Sequence, residues 1–596
     1  MSTSFIWIIL FLNYADAFFL PHPVVRSRSV ASRIGMSTKM EGHSESQMKN
    51  STVVATEAFI LQSFMNSTMA DLVREDLERI STISSSEGEK KVSPNNDDDA
   101  AKPKYNWNMQ WYPIQAVDTV DKTKPQKAYL LGMEFVIWYS ESDGEWNAFE
   151  DACPHRQGPL SEGRIEQSND DGSSQILCSY HGWQFDSKGS CASLPYSKEG
   201  PLRSRHEGNC RAQCQSFPTR VENGLLFVFP QTGKDAKLQA SLTPITGIRE
   251  LTADSSSSSS WRYKIPAGVR DFPCGWDTMV ENTLDPAHFC AAHHGTLGNR
   301  YTDPKHYSQK VVQPIPRDIT SNEPFVVEGD FGTLEFQPPC LVRYTPDNPS
   351  MPFGGKMTIA TYCVPTRPGW VRPLAAVITQ DRPPFWWLQK DVKIAEVALE
   401  IFMNPLTPAW VGHILSSIVL HQDAGILYYQ HRNFQRKGYL SQNAEDRKSY
   451  RELSYMPNES DMGVAMFRQW LQKSSHGVGC TFDPSYRDDP TEKVDIFDMW
   501  HHTSQCKYCS DAYRRLERAR KAAWVLFYVS ILASPVLTTT VANADTTMTI
   551  SPWTSLVVGI VSASIALVLE KFNGMFRRYE VCHTDDSIID KLPFFN

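Results

Sequence analysis

Short apolar stretches separated by turn-forming residues fill the chain from residue 107 to about residue 230. Three of them, AYLLGMEFVIWY, EWNAFEDACPH and GLLFVFP, are rich in aromatic and β-branched residues. Runs of this length and composition, bounded by turn signals, are typical of strands. We therefore predict an all-β domain in this part of the chain.

The pattern changes after the low-complexity run TADSSSSSS, which ends at Ser260. From residue 261 to about residue 477, strand-like runs such as KMTIATYCV and PLAAVITQ occur beside helical ones. The longest helical stretch is AWVGHILSSIVLHQDAGILYYQHRNF. This mixture predicts an α+β domain, separated from the β domain by a linker.

Two long apolar runs, 522–542 and 553–569, lie near the C-terminus and are joined by about ten polar or small residues. The first is long enough to span a bilayer, and the second is at the lower limit. Arginine and lysine residues flank the pair on both sides, which predicts that the preceding domain and the tail share one face of the membrane. The alternative is a buried hairpin of a soluble protein.

The N-terminus carries two successive targeting patterns. An apolar run from Phe5 to Leu12, followed by a small-residue site at Ala15 to Ala17, predicts a signal peptide rather than a membrane anchor. The next stretch is rich in serine and arginine and has no acidic residue before Glu41, as in a transit peptide. The two in series resemble the bipartite presequence of algae whose plastids have additional surrounding membranes.

The composition is that of an ordinary folded protein, with 596 residues, 41% hydrophobic and 21% charged. A net charge of −8 provides no basic field, so we expect no nucleic-acid partner. The 13 cysteines are an odd number in a long chain, and two pairs lie close to histidines. Metal and redox chemistry in a reducing compartment is therefore favoured over a disulfide scaffold.

The most specific motif combines CPH at Cys153–His155 with CSYH at Cys178–His181. Two thiolates on one iron and two imidazoles on the other are the ligands of a Rieske 2Fe–2S cluster. Glycines around both motifs supply the tight turns that such loops need. A Cys₂His₂ zinc site is the alternative, although C-x-H is an unusual spacing for zinc.

A second set of candidate ligands lies in MVENTLDPAHFCAAHHG, which contains Asn282, Asp285, His288 and His293. His288 and His293 could supply the two imidazoles of a 2-His-1-carboxylate iron site with open coordination positions. Asp285 precedes His288 by about one helical turn and is better placed to hydrogen-bond this imidazole than to bind iron. His294 is expected to be structural or to contact a ligand rather than bind iron itself.

The third iron ligand is expected from elsewhere in the chain, and Asp423 is our choice. It lies within the apolar helical stretch, where an unpaired acid is costly to bury. Because its neighbours His421 and Gln422 are also polar, a surface acid is an equally good interpretation of the spacing alone.

A Rieske motif followed by such an iron site resembles the Rieske non-heme iron oxygenases, from Trp107 to the C-terminus. Within that class the chain resembles the group containing pheophorbide a oxygenase, chlorophyllide a oxygenase and Rieske subunits of the plastid inner-envelope translocon. The residues that carry this resemblance include WYPI, CPHRQGPLSEGRI, CSYHGWQFD, ENTLDPAHFCAAHHG, the dipeptide at 422–423, the later C-x-x-C and the apolar hairpin followed by FRRYE. The stretch SNDDGSSQ before Cys178 is longer than usual and is expected to be a surface extension.

The resemblance implies a helix-grip-like catalytic domain, Fe(II) held by His288, His293 and Asp423, and catalytic roles for Asp285 and Asn282. It also implies electrons from ferredoxin, relay through Asp285 between subunits of a homotrimer, and transfer of an oxygen atom from O₂ to a chlorophyll-derived tetrapyrrole. Pheophorbide a is the first choice of substrate. The second choice of reaction is oxidation like that of chlorophyllide a oxygenase, or hydroxylation of a chlorophyll catabolite. The alternative function is not enzymatic: a redox-sensing Rieske subunit of a plastid import complex.

Cys506 and Cys509 form a C-x-x-C motif directly before a helical run, whose positive end favours a thiolate. The motif allows a reversible disulfide, a zinc site that uses the nearby His501 or His502, or two unused thiols. The resemblance favours redox regulation through thioredoxin.

Together these features predict the following organisation: signal peptide 1–17, transit peptide 18–48, linker 49–104, Rieske domain 105–232, linker 233–260, catalytic domain 261–477, C-x-x-C segment 478–521, transmembrane helices 522–542 and 553–569, and tail 570–596. We expect the protein in a plastid membrane, the inner envelope or the thylakoid, with its catalytic domain facing the stroma.

Overall fold

The computed structural model describes residues 105–252, 261–264, 269–294, 298–346, 357–380, 408–439, 445–475, 494–540, 552–578 and 580. The predicted signal peptide, transit peptide and first linker lie outside these residues. Residues 541–551, which include almost all of the loop between the two C-terminal apolar runs, and most of the predicted tail also lie outside them.

The N-terminal part of the described chain is built from short antiparallel strands, as the apolar pattern predicts. Three sheets form it, with strand orders β1-β11-β10, β2-β3-β4-β9 and β5-β6-β7-β8. The strands are β1 (Tyr112–Ala116), β2 (Gln126–Leu130), β3 (Met133–Ser140), β4 (Glu145–Glu150), β5 (Arg164–Gln167), β6 (Ser174–Leu177), β7 (Gln184–Phe185), β8 (Cys191–Ser193), β9 (Ser216–Phe217), β10 (Thr219–Glu222) and β11 (Leu225–Val228). The two Cys/His motifs lie in the loops between β4 and β5 and between β6 and β7.

Three short helices, α1 (Pro201–Glu207), α2 (Ala236–Leu242) and α3 (Arg249–Thr252), lie among and after these strands. The last two fall within the stretch 233–260, which the sequence pattern predicts to be a linker. Ala240 and Ile248 there are buried in the main core. The first half of the predicted linker is therefore part of the folded body, because its apolar residues pack against the neighbouring strands.

An antiparallel seven-stranded sheet forms the second domain, with the order β12-β18-β17-β16-β15-β14-β13. Its strands are β12 (Trp261–Lys264), β13 (Gln309–Gln313), β14 (Phe325–Gly329), β15 (Gly332–Gln337), β16 (Leu341–Pro346), β17 (Met357–Pro365) and β18 (Val371–Gln380). The helices are α4 (Trp276–Leu284), α5 (His288–Ala292), α6 (Ala409–Arg436), α7 (Tyr450–Leu453) and α8 (Met462–Ser475). The predicted α+β class is confirmed, and the predicted long helix is α6.

One continuous hydrophobic core joins the two domains. Phe227 of β11 packs edge-on against Tyr362 of β17, with ring centroids 6.0 Å apart. The backbone N–H of Leu131 donates to the carbonyl of Pro365 at 3.0 Å. The buried guanidinium of Arg372 donates to the Ile114 carbonyl at 3.1 Å. The β domain is thus fixed directly against the large sheet.

Helix α4, which leads to the candidate iron ligands, is held by a buried ionic network. Arg468 of α8 donates to Glu281 at 2.5 Å and to Asp277 at 2.6 Å, and Tyr439 shares the same guanidinium. A buried charge is tolerated where its hydrogen bonds are satisfied in this way. The network therefore fixes the register of α4 against α8.

The C-terminal part contains α9 (Trp500–Gln505), α10 (Lys507–Thr540) and α11 (Pro552–Met575). The end of the predicted C-x-x-C segment and the first apolar run form one continuous helix, α10, rather than separate elements. Asn573 of α11 donates to Glu517 of α10 at 2.9 Å, and a Cβ on Gly559 of α11 would lie 2.8 Å from Ser530 Oγ of α10. The two helices therefore pack against each other in antiparallel orientation.

Among the described residues, one helix, Trp553–Met575, is long and apolar enough to cross a membrane. Of its most apolar stretch, 28% is buried within the protein, so most of that stretch faces outward.

Candidate functional site

The first candidate site is formed by the two Cys/His loops of the β domain, which share one backbone design. In each loop the N–H of the fourth residue after the cysteine donates back to the cysteine carbonyl. Gln157 donates to Cys153 at 2.8 Å, and Gly182 donates to Cys178 at 2.9 Å. Gln157 and Gly182 have φ values of +60° and +70°, so both loops reverse direction through left-handed backbone. Tight turns are therefore present in both loops, but a glycine occupies the left-handed position only in the second loop, whereas Gln157 occupies it in the first.

These loops bring the four predicted cluster ligands together. Cys153 and Cys178 are buried, His155 is exposed and His181 is half-buried. The two imidazole rings have centroids 4.5 Å apart, and Trp183 stacks on His155 at 4.6 Å. The arrangement therefore places thiols inside and imidazoles at the surface.

The electrostatics of the loops suit a bound iron cluster. Burial is the main cause that raises the pKa of the Cys153 thiol to about 12, and the neighbouring Cys178 thiol acts in the same direction. Two buried thiolates side by side need cationic iron to be stable, since unpaired buried charge is costly. Burial, with the nearby His181, lowers the pKa of His155 and favours the neutral imidazole that binds metal. The residues present thus fit a Rieske 2Fe–2S cluster.

The second candidate site lies between α5 and α6. His288 begins α5, His293 directly follows it, and Asp423 comes from the middle of α6. Asp423 Oδ2 lies 3.3 Å from His293 Nε2, and Asp423 Oδ1 lies 4.0 Å from His288 Nε2. One ligand atom from each residue lies within 4.8 Å of the others. The structure therefore brings together the three predicted iron ligands.

Asp423 is a buried acid, 6% exposed, and not the surface acid that the spacing also allowed. Its Oδ1 is buried and has no hydrogen-bond partner among the described residues. A buried carboxylate oxygen without a donor is costly unless a cation occupies the space beside it. This set of donors fits mononuclear iron, and it matches the 2-His-1-carboxylate composition of non-heme iron sites.

Each imidazole of this site is oriented through its other ring nitrogen. His288 Nδ1 contacts the backbone carbonyl of Asp285, and His293 Nδ1 lies 3.2 Å from Gln422 Oε1. Such contacts select the tautomer whose Nε2 is free to bind a metal. The sequence suggested that Asp285 would hydrogen-bond His288, and the contact is made by its main chain.

The Asp285 carboxylate itself caps the following turn, where Oδ1 accepts from the Ala287 N–H at 2.9 Å. Burial raises the pKa of Asp285, with His288 acting in the opposite direction. Asn282 lies in the last turn of α4, and its carbonyl accepts the Asp285 N–H at 3.3 Å. Both residues are therefore adjacent to the ligand helix, and their catalytic roles remain predictions.

His294 is directed away from the ligand set, as expected. Its Nδ1 accepts from the Arg300 N–H at 3.1 Å, and its ring packs edge-on against Tyr301. His294 therefore contacts residues 300 and 301 rather than the ligand set.

We expect Gln422→Leu to weaken iron binding at this site by about 10- to 100-fold, the usual cost of removing a group that orients a ligand. The reason is that His293 loses the acceptor for its Nδ1 proton. Iron per chain, determined after dialysis against a weak chelator, should fall while the Rieske signal in electron paramagnetic resonance is unchanged. Gln435→Leu, on an exposed turn of the same helix, serves as the control, and equal iron retention in both variants would contradict this role.

A third cluster of ligand-type side chains surrounds the C-x-x-C motif. Cys506 and Cys509 are both buried, and His413 and His502 lie against them. A hydrogen bond with Cys509, together with those from His413 and His502, lowers the pKa of Cys506 to about 2. The sequence pointed to His501 or His502, but the side chain of His501 lies against Gln505 instead, 3.2 Å from its Nε2.

Sequence reasoning missed His413, which lies 93 residues before Cys506. The only sequence signal for His413 is its place among the apolar residues of AWVGHILSSIVL, where a buried histidine needs a polar partner. The redox role of the cysteine pair stays a prediction.

Two family models match this chain. The model described as the Rieske 2Fe–2S domain matches residues 110–218, and the model described as pheophorbide a oxygenase matches residues 336–440. The first match covers both Cys/His loops, and the second contains the helix that carries Asp423. A Rieske domain implies a 2Fe–2S cofactor, and Rieske oxygenases use mononuclear non-heme iron.

Several plant proteins are similar over most of this chain. Pheophorbide a oxygenase, chloroplastic, from Arabidopsis thaliana is 28% identical over 70% of this chain and 74% of its own length. Protochlorophyllide-dependent translocon component 52, chloroplastic, from the same plant is 25% identical over 69% of this chain and 74% of its own length. Flavonoid 8-hydroxylase 2, chloroplastic, from Ocimum basilicum is 26% identical over 80% of this chain and 87% of its own length.

Proposed function

We propose that this homologue of the Rieske non-heme iron oxygenases is a monooxygenase of chlorophyll-derived tetrapyrroles, with pheophorbide a as its first candidate substrate. The observation that carries the proposal is the presence of two complete ligand sets in one chain that also matches the pheophorbide a oxygenase model. In the overall reaction, one oxygen atom of O₂ enters the substrate and the other leaves as water, with two electrons from reduced ferredoxin and two protons.

When bound, the cluster supplies single electrons and Fe(II) supplies open coordination positions for O₂ chemistry. The chain itself holds and orients these groups. Cys153 and Cys178 hold their iron inside the domain, while the exposed edge of His155 offers a contact point for ferredoxin. At the other site, the main chain of Asp285 and the side chain of Gln422 orient the two imidazoles.

The proposal includes a homotrimer in which Asp285 connects the Rieske cluster of one subunit with the iron site of the next. Asp285 supports this role because it contacts the ligand His288 through its backbone, while the residue as a whole is only half-buried. A carboxyl group can both accept and donate a proton, so it suits a position between two ligand histidines.

Mixed trimers test this route. We expect Cys178→Ser subunits and Asp423→Ala subunits to be inactive alone and to recover partial activity when they are combined, because an intact cluster then faces an intact iron site. Activity of affinity-purified mixed trimers is the measurement, and trimers reassembled from one variant alone are the control. Verified mixed trimers that stay inactive would exclude transfer between subunits.

The proposal also places the protein in a plastid membrane, as an anchored enzyme. The relatives named above are chloroplastic, and α11 is long and apolar enough to cross a bilayer. Large apolar side chains are exposed on both α10 and α11, including Leu526, Leu532, Val557 and Ile560. Exposed apolar surface on two packed helices is expected where lipid replaces water. Arginines at the base of the hairpin, such as Arg520 and Arg577, favour the stromal side for the catalytic domain.

The test of the function is turnover by the full chain purified anaerobically in detergent and loaded with iron. We expect oxidation of pheophorbide a or chlorophyllide a in the presence of ferredoxin, its reductase and O₂, with ¹⁸O from ¹⁸O₂ in the product. His288→Ala is expected to abolish turnover and to keep the Rieske spectrum. Failure of the iron-replete protein to oxidise any chlorophyll-derived pigment would reject the tetrapyrrole assignment.

The second candidate function is a redox-sensing subunit of a plastid protein-import complex. It is favoured by the similarity to a protein named as a translocon component. His288→Ala separates the two functions, because a sensor that works through its cluster keeps its import function without mononuclear iron, whereas an oxygenase loses turnover.

A further inference from the structure

Four ligand-type side chains from distant parts of the sequence meet in the interior near the base of the C-terminal hairpin. His413 lies in the first two turns of α6 and His502 lies in α9. Cys506 directly follows α9, and Cys509 lies in the first turn of α10. All four are buried, with exposures of 1 to 3%. This buried Cys₂His₂ cluster is separate from the Rieske ligands and from the predicted iron ligands.

The distances within the cluster are those of the donor atoms around a single metal ion. His413 Nδ1 lies 3.5 Å from Cys506 Sγ and 3.3 Å from Cys509 Sγ, and His502 Nε2 lies 3.2 Å from Cys509 Sγ. A tetrahedral zinc ion with Zn–S bonds of about 2.3 Å and Zn–N bonds of about 2.0 Å has donor–donor edges of about 3.3–3.8 Å. The observed separations match these edges within a few tenths of an ångström.

The environment of His502 is that of a metal ligand. Its second ring nitrogen, Nδ1, lies 3.0 Å from the backbone carbonyl of Val269. Donation from Nδ1 to this carbonyl leaves Nε2 deprotonated and directed at the thiols. Histidine ligands of zinc are commonly fixed in this way.

We propose that His413, His502, Cys506 and Cys509 bind one structural Zn²⁺ ion. Four protein ligands in a closed, buried set are the composition of structural zinc sites, whereas catalytic sites keep one position open. Two thiolates neutralise the ion, and their protons are released to solvent on binding.

A regulatory disulfide between the two cysteines fits the structure less well. A disulfide needs no histidine, yet two imidazole nitrogens lie against these thiols. Thiol–disulfide exchange also requires that an attacking thiolate reach a sulfur atom, and both sulfurs belong to residues that are 1% exposed. The histidines and the burial are both explained by a metal ion.

The zinc ion joins three helices that differ in role. His413 and the iron ligand Asp423 share α6, where ten residues separate them by about 15 Å along the helix axis. Cys509 lies in the first turn of α10, the first helix of the hairpin. Zinc therefore fixes the iron-bearing helix to the base of the hairpin and contributes folding energy rather than chemistry.

The first test is the metal content of the wild-type full chain, purified in detergent without chelator from zinc-sufficient cells. We expect about one zinc per chain in addition to the iron, measured by inductively coupled plasma mass spectrometry. A folded, iron-loaded protein without zinc would overturn the proposal. This measurement needs no activity, so it is independent of the substrate assignment.

A second test identifies the ligands. We expect His413→Gln to lose zinc and to keep its Rieske signal, whereas the control His501→Gln keeps both, because His501 lies outside the cluster. In wild-type protein exchanged with Co²⁺ alone, the visible spectrum should show tetrahedral cobalt with thiolate charge-transfer bands. Full zinc retention in His413→Gln would overturn the assignment of this ligand.

A third measurement addresses the disulfide directly. Native protein is alkylated before and after zinc removal, and the peptide with both cysteines is weighed by mass spectrometry. We expect slow alkylation with zinc bound and labelling of both thiols after its removal. A stoichiometric disulfide in protein prepared without oxidant would overturn the zinc site and favour the redox switch.

Discussion

Replacing Asp423 with alanine is expected to lower turnover by at least about 10³-fold, the range in which loss of an essential catalytic group falls. Asp423 is the single carboxylate that the structure places beside both His288 and His293 among the described residues. Two imidazoles alone bind Fe(II) weakly, so the variant should be purified without mononuclear iron. The iron count is expected to fall from about three to about two per chain, with an unchanged Rieske signal.

The control for this variant is Asn433→Ala, on an exposed part of the same helix. It should keep iron, activity and the melting temperature of the wild type, because surface substitutions on a helix usually cost little. An Asp423→Ala protein that retains its third iron and its turnover would show that the carboxylate ligand comes from another residue.

The second large effect is expected from Cys178→Ser. Serine is a poor ligand for cluster iron, so the variant should lack the 2Fe–2S cluster and retain about one iron per chain. Turnover with ferredoxin should fall by at least about 10³-fold, since electrons no longer reach the iron site. Iron and sulfide analysis together with the dithionite-reduced electron paramagnetic resonance spectrum measures this outcome.

Cys210→Ser provides the matched control because Cys210 is an exposed cysteine of the same domain. It should keep the cluster and full activity. If Cys178→Ser keeps a Rieske spectrum or its full content of iron and sulfide, the assignment of the two Cys/His loops is incorrect.

Much of the fold follows from local sequence pattern. The strands β2, β3, β4, β11, β17 and β18 and the helix α6 all lie where apolar periodicity places them. The Cys/His loops were also predictable, because C-x-H and C-x-x-H with nearby glycines specify turns as well as ligands. These features depend on residues that are close together in the chain, so the local sequence pattern is sufficient to predict them.

Features that depend on contacts between residues far apart in the chain were harder to predict from the sequence. The sequence left Asp423 undecided between ligand and surface acid, since burial is set by the packing of α6 against α4 and not by its neighbours. His413 was missed for the same reason, because its cysteine partners lie more than 90 residues away. The stretch 233–260 was predicted to be a linker because of its serine run, yet Ala240 and Ile248 within it are buried in the main core.

The shared core between the two domains limits how this protein can be divided. The contacts Leu131–Pro365 and Arg372–Ile114, together with the packing of Phe227 on Tyr362, cross the boundary between the parts that carry the two metal sites. Excising residues 105–232 would leave these hydrogen-bonding groups unpaired and expose aromatic surface to water. The β domain therefore cannot be exchanged between oxygenases on its own. A chimera will need substitutions on both sides of this boundary that restore the interdomain hydrogen bonds and aromatic packing.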